Sequence, residues 1–251
     1  MKTTHLFEAK GADGKLIRGD IAEGAGRQVL FITGFLSRRW GSKSKALVQW
    51  CAERGWRFCC YDVRGFGDSE GMFTDYSLSD WMDDARVVMS MLKQGPPVTI
   101  VGNSLGGWIA WLMAREFDHI DRLILIAPAF NMMGVRAKDI PDQRRRDWIR
   151  FGSMPWDDDP LHKDWPLSWK WVEESEAVWK TTFDRLRPVR TSIMHGLEDA
   201  AIAPDGSRRF VEQLRMHAPS FPIDLQLVPG DHRLSSPEHI DLLRRLVVEQ
   251  P

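Results

Sequence analysis

The stretch Val98-Thr99-Ile100-Val101-Gly102-Asn103-Ser104-Leu105-Gly106-Gly107 constrains this chain more than any other. Four β-formers run into a glycine-bounded turn. Apolar residues then recur at helical spacing at Leu105, Trp108, Ile109, Leu112, Met113 and Phe117. The pattern predicts a buried strand, a sharp turn and a helix, with Ser104 at the apex. Gly102-Asn103-Ser104-Leu105-Gly106 is a G-x-S-x-G elbow. A serine held proud of a strand end needs a strained backbone, and side chains two residues to either side would collide, so both positions are glycine. The same turn sets the Leu105 N–H and the positive end of the helix beside the serine oxygen, ready to stabilise negative charge.

The rest of the chain repeats the alternation. Strand-like runs at 3–9 and 15–22 flank Asp13-Gly14, a hairpin signal. Apolar runs at 29–32, 57–62, 98–101, 122–127, 189–194 and 223–228 read as strands buried on both faces. Helical patterns cover 42–54 with Gly55 as a stop, then Leu78 to Leu92 ahead of Gly95-Pro96-Pro97, then 205–216 and 237–249. The expected fold is α/β, with about eight mostly parallel strands, the first two forming a hairpin edge, and helices on both faces.

One region breaks the pattern. Residues 128–186 show no strand signal and hold Trp148, Trp156, Trp165, Trp169, Trp171 and Trp179, six of the 12 tryptophans. They also carry Arg144-Arg145-Arg146 and Asp157-Asp158-Asp159. A helical insertion at 129–186 is expected to cap a core made of 1–128 and 187–251, above the sheet edge where open α/β sheets bind ligands. The tryptophans read first as packing, and as a wall for acyl chains or aromatic rings if they face the site. The arginine run reads as a solvated face, with attraction of an anionic substrate by it or by Arg233 as the lesser reading.

Net charge is −1 with 27% charged residues, which argues against nucleic acid as a partner. The first residues lack a signal-peptide pattern, and no apolar run reaches the ~18–20 residues of a spanning helix. Cys51, Cys59 and Cys60 are too few and too ill-spaced for a disulfide framework or a zinc site. A cytoplasmic protein is the expectation. No HExxH, P-loop or paired CxxC occurs, so neither metal nor cofactor is expected. Gly65-x-Gly67 lacks the third glycine and the helix of a dinucleotide loop and reads as a turn near the pocket. Cys59 and Cys60 read as inert small residues of a core strand.

A serine hydroxyl is a weak nucleophile. It needs a base to take its proton and an anion to orient that base. On an elbow the order should be Ser, then Asp or Glu, then His, with both partners in loops after sheet strands. His195-Gly196-Leu197-Glu198-Asp199 follows one such strand and Pro229-Gly230-Asp231-His232-Arg233 follows the next. His232 is the expected base, while His5, His162, His217 and His239 read as surface residues. Asp199 is favoured as the acid because the His-Gly-x-x-Asp spacing lets it turn back to the histidine; Glu198 and Asp205 remain competitors. Asp231 reads as a turn residue and His195 as support for the acid loop. The second oxyanion donor is expected after the first buried parallel strand, in Gly34-Phe35-Leu36, at the Phe35 N–H.

Taken together, these residues resemble the α/β-hydrolase superfamily of serine esterases, thioesterases and lipases. The closer likeness is to a branch of acyl-glucuronide esterases and palmitoyl-protein thioesterases. It is carried by Ser44-Lys45-Ala46-Leu47, by Gly65-Phe66-Gly67-Asp68-Ser69-Glu70-Gly71 and by Gly102-Asn103-Ser104-Leu105-Gly106-Gly107-Trp108. Gly152-Ser153-Met154-Pro155 and Asp231-His232-Arg233 are similar too. The resemblance implies a triad of Ser104, Asp199 and His232, oxyanion donors at Phe35 and Leu105, and a small acyl ester or thioester as substrate. A departure is Thr33, where many members have histidine before the glycine.

Overall fold

The computed structural model describes residues 4–92, 94–155 and 165–249. Eight strands form one sheet: β1 (His5–Lys10), β2 (Leu16–Ala22), β3 (Gln28–Ile32), β4 (Arg57–Tyr61), β5 (Val98–Asn103), β6 (Ile120–Ile126), β9 (Arg190–Gly196) and β10 (Ile223–Val228). Two short strands, β7 (Ser153–Met154) and β8 (Leu167–Ser168), make a separate ribbon. The main sheet runs β1-β2-β4-β3-β5-β6-β9-β10. Its first two strands are antiparallel to their neighbours and the remaining six are parallel.

Period-2 alternation explains why the parallel strands read as unbroken apolar runs. Leu30 and Ile32 face a core shared with Trp81, Ile109 and Phe210. Val29 and Phe31 face the other core, with Leu47, Cys51 and Leu243. Helices α2 (Leu78–Ser90), α3 (Leu105–Met113) and α7 (Asp205–His217) supply the first layer. Helices α1 (Ser42–Arg54) and α8 (Pro237–Arg244) supply the second. Gly55 ends α1 with φ 68°, in the left-handed region where glycine is unstrained. All three cysteines are free and buried. Burial pushes the Cys59 thiol up to about 12, in keeping with an inert core residue.

Register brings the carboxyl ends together. Ile32 lies opposite Gly102, Asn103 opposite Ile126, and Gly196 opposite Val228. The turns after β3, β5, β9 and β10 therefore open at one rim.

Between β6 and β9 the chain forms α4 (Met132–Asp139), α5 (Asp142–Phe151) and α6 (Trp169–Lys180). The β7–β8 ribbon corrects the expectation that this region lacks strands. Two residues per strand are too short to leave a periodic signal. Two helix ends also differ. Helix α3 stops at Met113, four residues short of Phe117, and the last helix passes into a π-helical turn at Arg245–Glu249. Trp156, Asp157-Asp158-Asp159 and His162 lie outside the described residues.

Candidate active site

Ser104 sits between β5 and α3 with φ 53° and ψ −119°. Its amide donates to Ile126 O at 2.8 Å, and its carbonyl accepts from Gly107 N and Ala129 N at 2.9 and 3.0 Å, so neighbouring strand and helix hold the strain in place. The flanking glycines have concrete reasons. A Cβ on Gly102 would stand 2.3 Å from Gly106 O, and one on Gly106 would stand 2.3 Å from Ile32 O. The elbow thus fits against both its own helix and the end of β3.

His232 reaches the serine from the loop after β10. Its Nε2 lies 3.1 Å from Ser104 Oγ, and its Nδ1 lies 2.7 Å from Asp199 Oδ2. An ionised carboxylate only accepts, so Nδ1 carries the hydrogen. Nε2 then presents its lone pair to the Ser104 hydroxyl. Asp199 Oδ1 accepts from the amides of Ala201 and Ile202 at 2.9 and 2.8 Å. Its Oδ2 also accepts from His195 Nε2 at 3.0 Å. The same Nε2 lies 2.9 Å from Ile202 O, which fixes it as a donor, and leaves Nδ1 to accept from Ser207 Oγ at 2.8 Å. Burial by itself would raise the Asp199 pKa. The hydrogen bonds from His195, His232 and Ile202 outweigh it and hold the carboxyl well below the usual range.

The two competing acids stand elsewhere. Glu198 accepts from the Gly230 amide, and Asp205 faces Arg208 and Arg209 at the start of α7. Glu198 thereby pins the loop that carries His232. So do two residues whose role is absent from the sequence reading. His239 Nε2 donates to Pro229 O at 2.7 Å and its Nδ1 pairs with Ser236 Oγ at 2.9 Å, so this surface histidine is tied to the loop. Lys43 Nζ donates to Arg233 O and, at 3.2 Å, to Ser235 Oγ. These partners bind backbone atoms, which leaves no motif to read. Asp231 is a turn residue as expected, accepting from Arg233 N at 3.0 Å.

Leu105 is the first residue of α3, so its N–H has no acceptor within the helix. Phe35 lines the same cavity as Ser104 and His232. Leu36, with φ 56°, turns the loop just beyond it. The Phe35 ring packs on Phe66, Phe73 and Trp171 with centroids 5.5, 5.4 and 4.9 Å away. Phe66 comes from the Gly65-x-Gly67 turn, which confirms that turn as structural and close to the pocket. Gly67 there has φ 56°, and a Cβ would strike the Asp62 carboxylate at 2.2 Å. The cavity over Ser104 measures about 900 Å³, and Phe130, Met132, Met133, Val135, Ile140, Leu167 and Ile202 make most of its wall apolar.

Comparison with known proteins agrees with this architecture. A family model described as the alpha/beta hydrolase fold matches residues 28–155, just over half of the chain. The chain belongs to the α/β-hydrolase family. Among its relatives, the mouse palmitoyl-protein thioesterase ABHD10, mitochondrial, is 26% identical over 223 residues, covering 86% of this chain and 72% of that protein. The human counterpart is 25% identical over 224 residues, covering 86% and 70%. The solved structure of mouse alpha/beta hydrolase domain-containing protein 10 superposes with a TM-score of 0.82 at 22% identity, covering 98% of this chain and 97% of the other. That of Est1E from Butyrivibrio proteoclasticus with ferulic acid has a TM-score of 0.74 at 20% identity, covering 97% and 96%. The relatives overturn the cytoplasmic expectation, because those from mouse, rat and human are all mitochondrial by name. Among the described residues no helix of this α/β hydrolase is long and apolar enough to cross a membrane.

The described tryptophans of 129–186 resolve as packing. Trp148 and Trp171 are buried, Trp148 donates to Leu167 O at 2.7 Å, and Trp171 sits edge-on to Trp81 at 4.8 Å. Among the described residues, no tryptophan lines the large cavity. Arg145 pairs with Asp142, and Arg146 donates to Gln143 at 2.8 Å, as a solvated face should. Arg144 departs from that reading. It lies in the cavity wall and donates toward Met154 Sδ at 3.1 Å.

Proposed function

We propose that this α/β hydrolase is a serine hydrolase that cleaves carboxylic esters or thioesters through an acyl-Ser104 intermediate. The observation that carries the reading is the unbroken chain Ser104 Oγ, His232, Asp199, with contacts of 3.1 and 2.7 Å between groups from three separate loops. His232 Nε2 takes the hydroxyl proton as Ser104 Oγ attacks the carbonyl carbon. Asp199, already held ionised, stabilises the imidazolium that forms. The oxyanion of the tetrahedral intermediate is bound by the Leu105 and Phe35 amides. His232 then protonates the departing alcohol or thiol. Water, deprotonated by the same histidine, attacks the acyl group and restores the serine.

Residues 129–186 serve as the cap in this reading, with Met132, Met133, Val135 and Ile140 above the nucleophile. A cavity of about 900 Å³ with apolar walls suits an acyl chain, and the palmitoyl-protein thioesterase name of the mouse relative supports a thioester among the substrates. Neither metal nor cofactor has a part in these steps.

Labelling with a fluorophosphonate tests the nucleophile. The expected result is covalent modification of the wild-type protein and none of Ser104→Ala. An unlabelled wild type would make the protein a receptor on a hydrolase fold. A series of p-nitrophenyl esters of rising chain length, with an acyl thioester alongside, then defines the acyl group; no turnover of any of them would reject the ester and thioester assignment.

A further inference from the structure

A second cavity, of about 410 Å³, also borders the nucleophile. It shares Phe35, Ser104, His232 and Arg233 with the large one, so Ser104 and His232 stand at a junction of two chambers. The chambers differ in chemistry. The first is walled mainly by aliphatic and aromatic side chains, with Arg136, Arg144, Arg209 and the carboxylate of Asp139 also in its wall. The second contains Arg38, Lys43 and Arg233, with serines and backbone, and no carboxylate among its lining residues.

Lys43 is the informative member. It is only 9% exposed, yet its ammonium has neutral partners, the Arg233 carbonyl and the Ser235 hydroxyl. An ammonium has three hydrogens to donate, so one is left without an acceptor among the described residues. Burial lowers its pKa to about 8, with Asp231 opposing and Arg233 adding to that fall. A buried cation bonded only to neutral groups is unfavourable unless nearby anions supply the charge, and Asp231 offsets only part of the burial. The opening turn of α1, at Gly41 and Ser42, lines the same space and adds the positive end of a 13-residue helix.

We propose that the second chamber is an anion subsite for the leaving group, taking a carboxylate or phosphate borne on the alcohol or thiol while the acyl chain fills the first. This assignment rests on the ester or thioester hydrolase reading above. It makes the enzyme selective for charged leaving groups, and it makes Lys43, Arg38 and Arg233 specificity residues rather than catalytic ones.

Matched substrates test it. For the carboxylate, 3-carboxy-4-nitrophenyl butyrate is compared with 4-nitrophenyl butyrate. For the phosphate, butyryl-pantetheine 4′-phosphate is compared with butyryl-pantetheine. The expected result is a kcat/KM at least about tenfold higher for one charged member than for its neutral partner, falling at high salt, since exposed charges are screened over ~10 Å at 0.1 M. The pair that shows it names the anion. Lys43→Met should reduce the charged-to-neutral ratio about tenfold. Because Lys43 also ties the Arg233 carbonyl, the double variant Arg38→Gln, Arg233→Gln is the second arm, with the same loss of ratio carried by KM. Equal rates for both pairs in the wild type, or ratios unmoved in both variants, would overturn the subsite. If fluorophosphonate labelling fails, the hydrolase reading falls by itself. The subsite is then decided by titration calorimetry with pantetheine 4′-phosphate and 3-carboxy-4-nitrophenol: binding weakened in both variants keeps it, and no binding removes it.

Discussion

The rim of the sheet and the described helices between β6 and β9 are held by different forces. At the rim, each functional group is fixed by directional bonds from more than one side. Asp199 takes four contacts from His195, His232, Ala201 and Ile202. The His232 loop is pinned by Glu198, His239 and Lys43. The 129–186 segment instead leans on ring contacts, Trp171 against Trp81 and Phe35, Trp148 against Trp169, and Trp179 against Phe183. Its polar ties to α2 are peripheral: Glu174 accepts from the Ser79 hydroxyl and amide at 2.7 and 3.0 Å, and Lys170 Nζ lies 3.8 Å from Asp80. Hydrogen bonds to a carboxylate specify position to fractions of an ångström. Apolar burial is non-directional and tolerates changes that keep the volume. In the proposed mechanism, the group that transfers a proton is placed by the first kind of force and the segment over the acyl chain by the second.

The largest expected effect breaks the rim. Asp199→Asn should lower kcat by about 10⁴, as loss of the orienting acid does in a protease triad, with little change in KM. A smaller loss, recovered as a further loss in Glu198→Gln, would move the acid. Next comes the roof. Trp171→Ala should destabilise the protein by about 3–5 kcal/mol in denaturant melts, the usual range for a buried tryptophan, whereas Trp171→Phe should lose far less. Equal losses would mean that the roof is held by a directional bond after all.

A pH series sharpens the same contrast. The Asp199 carboxyl is held below its ordinary 3.8 in the folded protein. The unfolded chain therefore binds more protons in the window below about 3.8, and the stability this group contributes is complete above that pH and lost as pH falls through its folded value. Thermal melts should show a steeper acid fall in the wild type than in Asp199→Asn; parallel curves would contradict the depressed pKa. Smaller still, His239→Ala frees the Pro229 carbonyl and should lower kcat about tenfold, or ~1.4 kcal/mol, without altering fluorophosphonate access. Smallest is Ser79→Ala, which loosens α6 from α2 at an exposed site. It should change stability by under about 1 kcal/mol and show itself, if anywhere, in KM for long acyl chains.

Much of the fold was legible because its signals are local. Glycine at 102 and 106 is demanded by contacts within the elbow and with β3. The apolar runs at 29–32 and 98–101 are the direct imprint of a sheet covered on both faces. Ser104, Asp199 and His232 could be named together because each follows a strand end, and parallel strands bring those ends to one rim. The β7–β8 ribbon was not legible, being shorter than any period. The cytoplasmic expectation came from missing signals rather than present ones, and the relatives corrected it.

The sequence by itself determined the order of the main-sheet strands, the elbow with Ser104, and the two loops that carry the candidate acids and His232, since all of these depend on spacing and on backbone conformations that few residue types permit. Only the tertiary structure decided that Asp199 rather than Glu198 meets the imidazole, that Glu198, His239 and Lys43 hold the loop behind it, and that Ser104 and His232 border both a large, mainly apolar cavity and a smaller one lined by Arg38, Lys43 and serines. Those outcomes turn on which side chains reach which backbone atoms across the rim, and distances between residues far apart in the chain exist only once the sheet has closed them.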